Sequence, residues 1–189
     1  MIALWIVLGI IVILLFIFIG IYNGLVRLRN AVKNAWAQID VQLKRRHDLI
    51  PNLVETVKGY RDFERETLEA VTKARNVAIQ ASQTGAGPAA QGKAEGELSS
   101  ALARLMVVVE RYPDLKANTN FLALQEELSS TENKIAFSRQ YYNDSVLRYN
   151  NQIQMFPSNV VAGMGNFKQA EFFEVIAAAE REAPKVSFS

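Results

Sequence analysis

The sequence contains no cysteine and a single histidine, His47. The missing cysteines exclude disulfide bonds, thiolate metal ligands and cysteine nucleophiles. One imidazole cannot build a zinc site from several histidines, nor the pair of Glu-x-x-His motifs that a di-iron carboxylate centre requires. Lys44 stands three residues before His47, where such a motif needs a glutamate. We therefore expect His47 to bind no metal and to form local hydrogen bonds near Pro51.

Glycine and proline are also scarce, with 10 and 5 residues in a chain of 189, which argues against a loop-dominated or low-complexity protein. The formal net charge is only +2, so the composition gives no sign of a nucleic-acid partner. The sequence has no Gly-rich phosphate loop, nucleophile elbow or zinc-protease helix motif. It therefore predicts a protein that is not an enzyme, with no catalytic residue, no cofactor, no metal site and no small-molecule substrate.

The hydrophobic residues, half of the total, are concentrated at the N-terminus. Residues 2–21 carry no charge, and the first charged side chain is that of Arg27. Twenty helical residues cover roughly 30 Å, the thickness of a bilayer's hydrocarbon core. A cleaved signal peptide would instead show a basic start, a shorter apolar core and a small-residue cleavage site. We predict an uncleaved transmembrane anchor over residues 1–26 and a cytoplasmic helical bundle over residues 27–189.

Positive charges follow the apolar stretch, and only the α-amino group precedes it. By the positive-inside rule, the protein is expected to be a single-pass protein of the cell inner (plasma) membrane, with a short outer N-terminus and a cytoplasmic bundle. The bilayer is thus its first predicted partner. The same charges are compatible with binding to anionic lipid and with a role in topology alone. The membrane-proximal basic residues are Arg27, Arg29, Lys33, Lys44, Arg45 and Arg46.

Apolar residues from Val32 to about Ala81 recur at alternating spacings of three and four, which is typical of one face of a long helix or a coiled coil. We predict one helix over about residues 27–81. Pro51 removes an amide donor from this helix and crowds the preceding turn. Since the apolar series continues across the proline, we predict a helix kink at Pro51. The alternative is a break, with Asp48 capping a new helix.

The rest of the chain predicts further helices and no strand. A loop over residues 82–94 is followed by a helix over about 95–111, a long helix over about 120–156 and a short helix over about 167–182. The cluster Asn118-Thr119-Asn120 supplies the N-cap candidates for the long helix. The predicted fold is all-α, with a single N-terminal transmembrane helix followed by an elongated antiparallel helical bundle of three main helices and a short C-terminal helix.

Several blocks of sequence resemble the signature of the LemA family, and they occur in order after the anchor. The resemblance implies a bacterial-type single-pass membrane protein with a cytoplasmic helical bundle, and it implies no catalytic residue. The blocks are residues 35–54 (AWAQIDVQLKRRHDLIPNLV), 112–118 (YPDLKAN), 124–128 (LQEEL), 131–133 (TEN), 139–144 (RQYYND), 149–150 (YN), 156–157 (FP) and 172–174 (FFE).

The apolar stripes of the two long predicted helices are wide, and thin helical rods bury less of their surface than compact domains. We therefore predict a homo-oligomer in which these stripes meet and the anchors lie side by side. The predicted self-association seam consists of Trp36, Leu43, Ile50, Val57, Phe121, Leu128, Ile135, Tyr142, Tyr149 and Phe156.

The leading functional prediction is a membrane-anchored, non-enzymatic scaffold or interaction protein of the LemA type that self-associates at the cytoplasmic face. One alternative is an adaptor or regulator of a membrane-bound enzyme such as a protease, which would require a membrane-protein partner. A second alternative is a membrane-remodelling protein, in which the basic segment and Phe167, Phe172 and Phe173 press on lipid.

Overall fold

A computed structural model describes residues 2–60 and 64–174 of the chain. In these residues the structure consists of α-helices joined by turns and irregular segments, without any β-strand, so the predicted all-α fold is confirmed. The helices are α1 (Ile2–Lys58), α2 (Arg65–Gln83), α3 (Pro88–Val109), α4 (Pro113–Lys116), α5 (Thr119–Gln154) and α6 (Ser158–Met164).

Helix α1 has 57 residues and runs from the apolar stretch to Lys58. Its N-terminal part is long and apolar enough to cross a membrane, and none of the most apolar segment is buried within the chain. A helix satisfies its own backbone hydrogen bonds, as a membrane span must. Because α1 continues through Pro51, the alternative of a break with a new helix at Asp48 is wrong. The kink at Pro51 stays a prediction.

The predicted single helix over about residues 27–81 is wrong, since α1 ends at Lys58 and α2 begins at Arg65. Gly59 follows the last residue of α1, at the usual position of a helix-ending glycine. The amide of Tyr60 donates to the carbonyl of Val57 at 3.1 Å and tightens the final turn. Periodicity missed this ending because the apolar spacing keeps its phase on both sides of it.

The chain forms two compact units. Of the described residues, unit 1 comprises 2–39 and 138–170, and unit 2 comprises 40–60, 64–137 and 171–174. Unit 2 is organised around a hydrophobic core to which α1, α2, α3, α4 and α5 all contribute. Its buried residues include Ile50, Leu53, Val57, Leu68, Val71, Leu98, Leu105, Leu115, Phe121 and Leu128.

Helix α3 of unit 2 begins seven residues earlier than predicted, so most of the predicted loop over 82–94 is helical. Pro88 is its first residue, where a missing amide donor is tolerated, and Gly87 precedes it with a φ of 91°. At Gly92 a side chain would collide with the backbone of Glu174. Glycine therefore allows the chain to pass close to α3 at this position.

Helix α5 matches the predicted helix over 120–156 to within two residues, and Asn118 is the one of the three N-cap candidates that caps it. The side-chain oxygen of Asn118 accepts hydrogen bonds from the amides of Asn120 and Phe121 at 3.0 and 3.1 Å. These bonds satisfy two of the donors that a helix leaves open at its N-terminus.

Unit 1 pairs α1 with α5 in antiparallel orientation. The rings of Trp36 and Tyr142 lie 5.4 Å apart. Burial raises the pKa of Tyr149 above its ordinary value of 10.0, and the nearby charge of Arg29 opposes this rise. Arg29 precedes Trp36 by seven residues on α1, and Tyr149 follows Tyr142 by seven residues on α5. The two helices therefore run antiparallel, with Trp36 level with Tyr142 and Arg29 level with Tyr149.

The predicted short helix over about 167–182 is wrong for its described part, because residues 167–174 are irregular; residues 175–182 lie outside the described chain. The Asn150 side chain donates to the carbonyl of Ala170 and accepts from its amide, both at 2.9 Å. Tyr149 donates its hydroxyl to the carbonyl of Lys168. Side chains of α5 thus satisfy backbone groups that a helix would have paired. Helix α6, which the sequence did not predict, precedes this segment.

Candidate functional site

Three helices of unit 2 meet at a buried charge cluster, whose centre is the guanidinium of Arg46 on α1. Arg46 is only 2% exposed. One of its terminal nitrogens forms an ion pair with the carboxylate of Glu95 on α3. The other donates to Glu132 on α5 at 2.5 Å and to the hydroxyl of Ser99 at 3.0 Å. One side chain therefore ties α1 to both α3 and α5.

His47 and Gln91 complete the cluster around the same carboxylate. The Nε2 atom of His47 lies 2.8 Å from the second oxygen of Glu95. The amide of Gln91 donates to that oxygen at 2.7 Å and to the carbonyl of Ala78 at 3.2 Å. Arg75 on α2 donates to the backbone carbonyl of His47 at 2.7 Å. The cluster thus connects α2 as well.

The electrostatics of the cluster favour an ionised Glu95. Burial raises the pKa of this carboxyl group, but the hydrogen bond with His47 and the charge of Arg46 together lower it by more. The net result is a pKa below the ordinary value of 4.5. Glu95 is therefore a carboxylate at neutral pH, and it neutralises the buried guanidinium.

The lowered pKa of Glu95 makes stability depend on pH. Since the folded pKa lies below the unfolded one, the carboxylate stabilises the fold above the unfolded value and loses this contribution as the pH falls through the folded one. We expect the thermal midpoint of the full chain in mild detergent, followed by circular dichroism, to fall below pH about 4.5. In Glu95→Gln the midpoint should be lower at pH 7 and converge with that of the parent chain in acid. A constant difference between pH 7 and pH 3 would contradict this assignment. Glu132→Gln is the control, because Glu132 is half exposed.

The contacts of the cluster connect α1 with α2, α3 and α5. Both of its carboxylates contact Arg46, and His47 and Gln91 contact the Glu95 carboxylate, so these polar groups are paired with one another. Within residues 2–60 and 64–174, no group of three or more histidine or acidic side chains could hold a metal ion. A cavity of about 240 Å³ adjoins Arg46, lined mainly by apolar and small residues such as Leu102, Met106 and Leu128.

A larger groove of about 770 Å³ runs along α2, beside the end of α1. Three of its four charged residues, Lys58, Arg65 and Glu69, belong to ion pairs within single helices. Lys58 contacts Glu55 at 2.6 Å, and Arg65 contacts Glu69 at 2.7 Å. All four side chains are more than half exposed. These are surface pairs, and they do not converge on a common point.

The structure changes the interpretation of two sequence-predicted residues. Arg46 was assigned to the membrane-proximal basic set, but its burial and its two ion pairs make it unavailable to lipid. His47 was expected to bond locally near Pro51, and it instead contacts Glu95, 48 residues away in sequence. The sequence did contain one indication of the cluster. Arg46 occupies a position of the apolar heptad series, seven residues after Ile39 and seven before Leu53.

The other predicted basic residues lie closer to the surface. Arg27, Lys33, Lys44 and Arg45 are exposed, and Arg45 pairs with Glu127 at 2.5 Å. Arg29 is half buried, with its guanidinium 5.0 Å from the centre of the Phe167 ring. This distance is typical of a cation–π contact.

The predicted self-association seam is mostly buried inside the chain itself. Trp36 is half buried against Tyr142, and only Phe156 is largely exposed, at 81%. Side chains packed in the interior of this folded chain are not available to a second chain, so the buried members do not form an intermolecular surface in this fold, and self-association itself stays a prediction. The eight buried members are Leu43, Ile50, Val57, Phe121, Leu128, Ile135, Tyr142 and Tyr149.

The aromatic set of the membrane-remodelling alternative is also largely internal. Phe167 and Phe173 are buried, whereas Phe172 is 37% exposed. Two of the three rings are therefore unavailable to press on lipid, and this alternative loses the apolar face on which it depended.

The LemA family model matches residues 35–188. The protein LemA of Metamycoplasma hominis is 30% identical over 147 residues, which are 78% of this chain and 66% of that protein. The magnetosome protein MamQ 2 of Paramagnetospirillum magneticum is 27% identical over 81% of this chain, and MamQ of Magnetospirillum gryphiswaldense is 26% identical over 80%. The chain covers just under two thirds of the length of these relatives. Since the family match includes most of the chain, we conclude that the chain belongs to the LemA family.

Proposed function

We propose that this protein is a membrane-anchored, non-enzymatic scaffold of the LemA type, with its helical body at the cytoplasmic face of the cell's inner membrane. The observation that carries the proposal is the continuity of α1. The same helix supplies an exposed apolar span near its N-terminus and, further along the chain, the buried Arg46. A partner bound to the helical body would thus be connected covalently to the membrane span.

The proposed orientation rests on the charges that follow the span. Arg27, Arg29 and Lys33 come directly after it, and the burial of Arg46 does not affect them. Three basic residues close to one end of a span, with none at the other, favour a cytoplasmic location for that end.

Self-association of the scaffold is proposed through the anchors. Most of the predicted seam is internal, whereas Gly20 and Gly24 lie one helical turn apart on α1 and have open space where a side chain would be. Small residues at this spacing let two membrane helices approach closely. The interface is therefore expected between neighbouring α1 helices.

The absence of cysteine gives a direct test of the orientation. In Thr84→Cys, a single thiol lies in the exposed turn between α2 and α3. We expect a membrane-impermeant maleimide to label it only after the membrane is permeabilised. Ala3→Cys, at the other end of the span, is the control and should react in intact cells. Labelling of Thr84→Cys in intact cells would reverse the proposed topology.

The scaffold role is tested by native mass spectrometry of the full chain purified in mild detergent. A scaffold should form a defined oligomer without a partner, and replacement of Gly20 and Gly24 by leucine should weaken it. Monomers alone would contradict self-association. Copurification of a stoichiometric membrane enzyme from native membranes would favour the adaptor alternative instead.

A further inference from the structure

Unit 1 exposes an apolar surface where α5 turns into α6. We define the α5–α6 corner as Met155, Phe156, Val160 and Met164. Phe156 is 81% exposed, Met164 is 73% exposed, and the other two are more than half exposed. Val160 and Met164 are four residues apart in α6, a spacing that places helical side chains on one face, and Met155 and Phe156 lie in the turn between α5 and α6. Large apolar side chains grouped in this way mark a contact surface.

The corner also lies in an uncharged part of the sequence. None of residues 149–167 is charged, and Arg148 and Lys168 flank this range with exposed side chains. An uncharged stretch bounded by basic residues can lie at a membrane interface without burying a charge, while the basic side chains reach the headgroups. The corner itself therefore presents no charge that lipid contact would have to desolvate.

The antiparallel register of α1 and α5 places the corner at the end of the apolar span. Trp36 lies against Tyr142, and Arg29 lies near Tyr149, seven residues further along α5. The same register brings the last residue of α5, Gln154, level with Gly24, so the turn that follows lies close to the end of the apolar stretch.

Contacts beyond α5 support this placement independently. The ring of Phe167 packs edge-on against Tyr22 at 5.5 Å, and a side chain at Gly165 would touch the same tyrosine. Phe18 and Ile21, still within the apolar stretch, are partly buried. Unit 1 therefore already covers one face of α1 at the depth where the span ends.

The charge of unit 1 suits an anionic surface. Its sequence contains six lysine or arginine residues and a single acidic residue, Asp144. The whole chain has a net charge of only +2, so the positive excess is concentrated in the unit that carries the span. Basic residues near an anionic leaflet strengthen membrane binding.

We propose that the α5–α6 corner inserts into the interfacial layer of an anionic bilayer beside α1, as a second membrane contact. This inference rests on the proposed membrane anchoring of α1. The corner would fix the depth and rotation of unit 1 at the membrane, which a single helix cannot do alone. Its occupant is lipid, and a second copy of the chain is the competing occupant.

The test uses the full chain in nanodiscs of phosphatidylcholine and phosphatidylglycerol. Phe156→Cys and Met164→Cys are labelled with an environment-sensitive fluorophore, and quenching by brominated phosphatidylcholine is measured. Both positions are exposed, so the substitutions do not disturb the core. Tyr141→Cys is the matched control, since it is an exposed aromatic position on α5, about 22 Å from Phe156 along the helix. Phe16→Cys reports on the anchor itself.

We expect strong quenching of the labels at positions 16, 156 and 164 and several-fold weaker quenching at position 141. Quenching at position 16 without quenching at 156 and 164 overturns the inference and leaves the anchor intact. No quenching at position 16 overturns the membrane anchoring as well. Blue-shifted emission at 156 and 164 without quenching shows that a second chain covers the corner, which also overturns the inference.

Discussion

Replacing Glu95 by glutamine is expected to lower the free energy of unfolding by about 3 kcal/mol, because it leaves the buried Arg46 without its internal counter-charge. The guanidinium is only 2% exposed, so water cannot replace the lost carboxylate. Glu132 remains in contact, but it is half exposed and compensates only in part. Urea titration of the full chain in mild detergent, followed by circular dichroism, measures the change.

A double-mutant cycle separates the ion pair from other effects of the substitution. Arg46→Met alone should also destabilise, since it leaves Glu95 with a buried charge. Arg46→Met combined with Glu95→Gln should cost less than the sum of the two, because neither variant side chain carries a charge. Glu69→Gln is the surface control, and its pair with Arg65 is expected to contribute at most about 0.5 kcal/mol. Equal effects of Glu95→Gln and Glu69→Gln would contradict the central role of the buried charge cluster.

The sequence predicted the apolar span and most of the helical segments because both depend on local patterns. Twenty uncharged residues and a repeat of three and four can be read without knowing what packs against them. The helix ending at Lys58 was missed because the same repeat resumes in phase in α2. The irregular segment after Phe167 was missed for another reason, since Asn150 satisfies its backbone from a distant position in the chain.

The buried charge cluster could be predicted only in part. Arg46 stands at one position of an otherwise apolar series, which indicates a charged side chain on a helix face that packs against other helices. Its partners Glu95 and Glu132 are 49 and 86 residues away and belong to other helices. No spacing rule connects positions so far apart, and the family resemblance covers Arg46 and His47 without assigning them a partner. The pairing is a property of the tertiary fold, so it required the structure.

The contrast between Phe121 and Phe156 leads to the second large expected effect. Both belong to the apolar series that the sequence assigned to self-association, yet Phe121 is 1% exposed and Phe156 is 81% exposed. Phe121→Ala should lower the free energy of unfolding by about 3–5 kcal/mol, since it removes a ring from the core of unit 2 and leaves a cavity. Urea titration in mild detergent measures the loss.

Phe156→Ala is the matched control and should change the free energy of unfolding by no more than about 0.5 kcal/mol, because its ring contacts little of the folded chain. If the series were instead an intermolecular seam, both substitutions would dissociate an oligomer at unchanged monomer stability. Native mass spectrometry of the two variants distinguishes these cases. If the Phe121→Ala chain stayed folded and its oligomer dissociated, Phe121 would not belong to the core. If the Phe121→Ala chain unfolds and the Phe156→Ala chain is unaffected, the apolar series packs within a single chain.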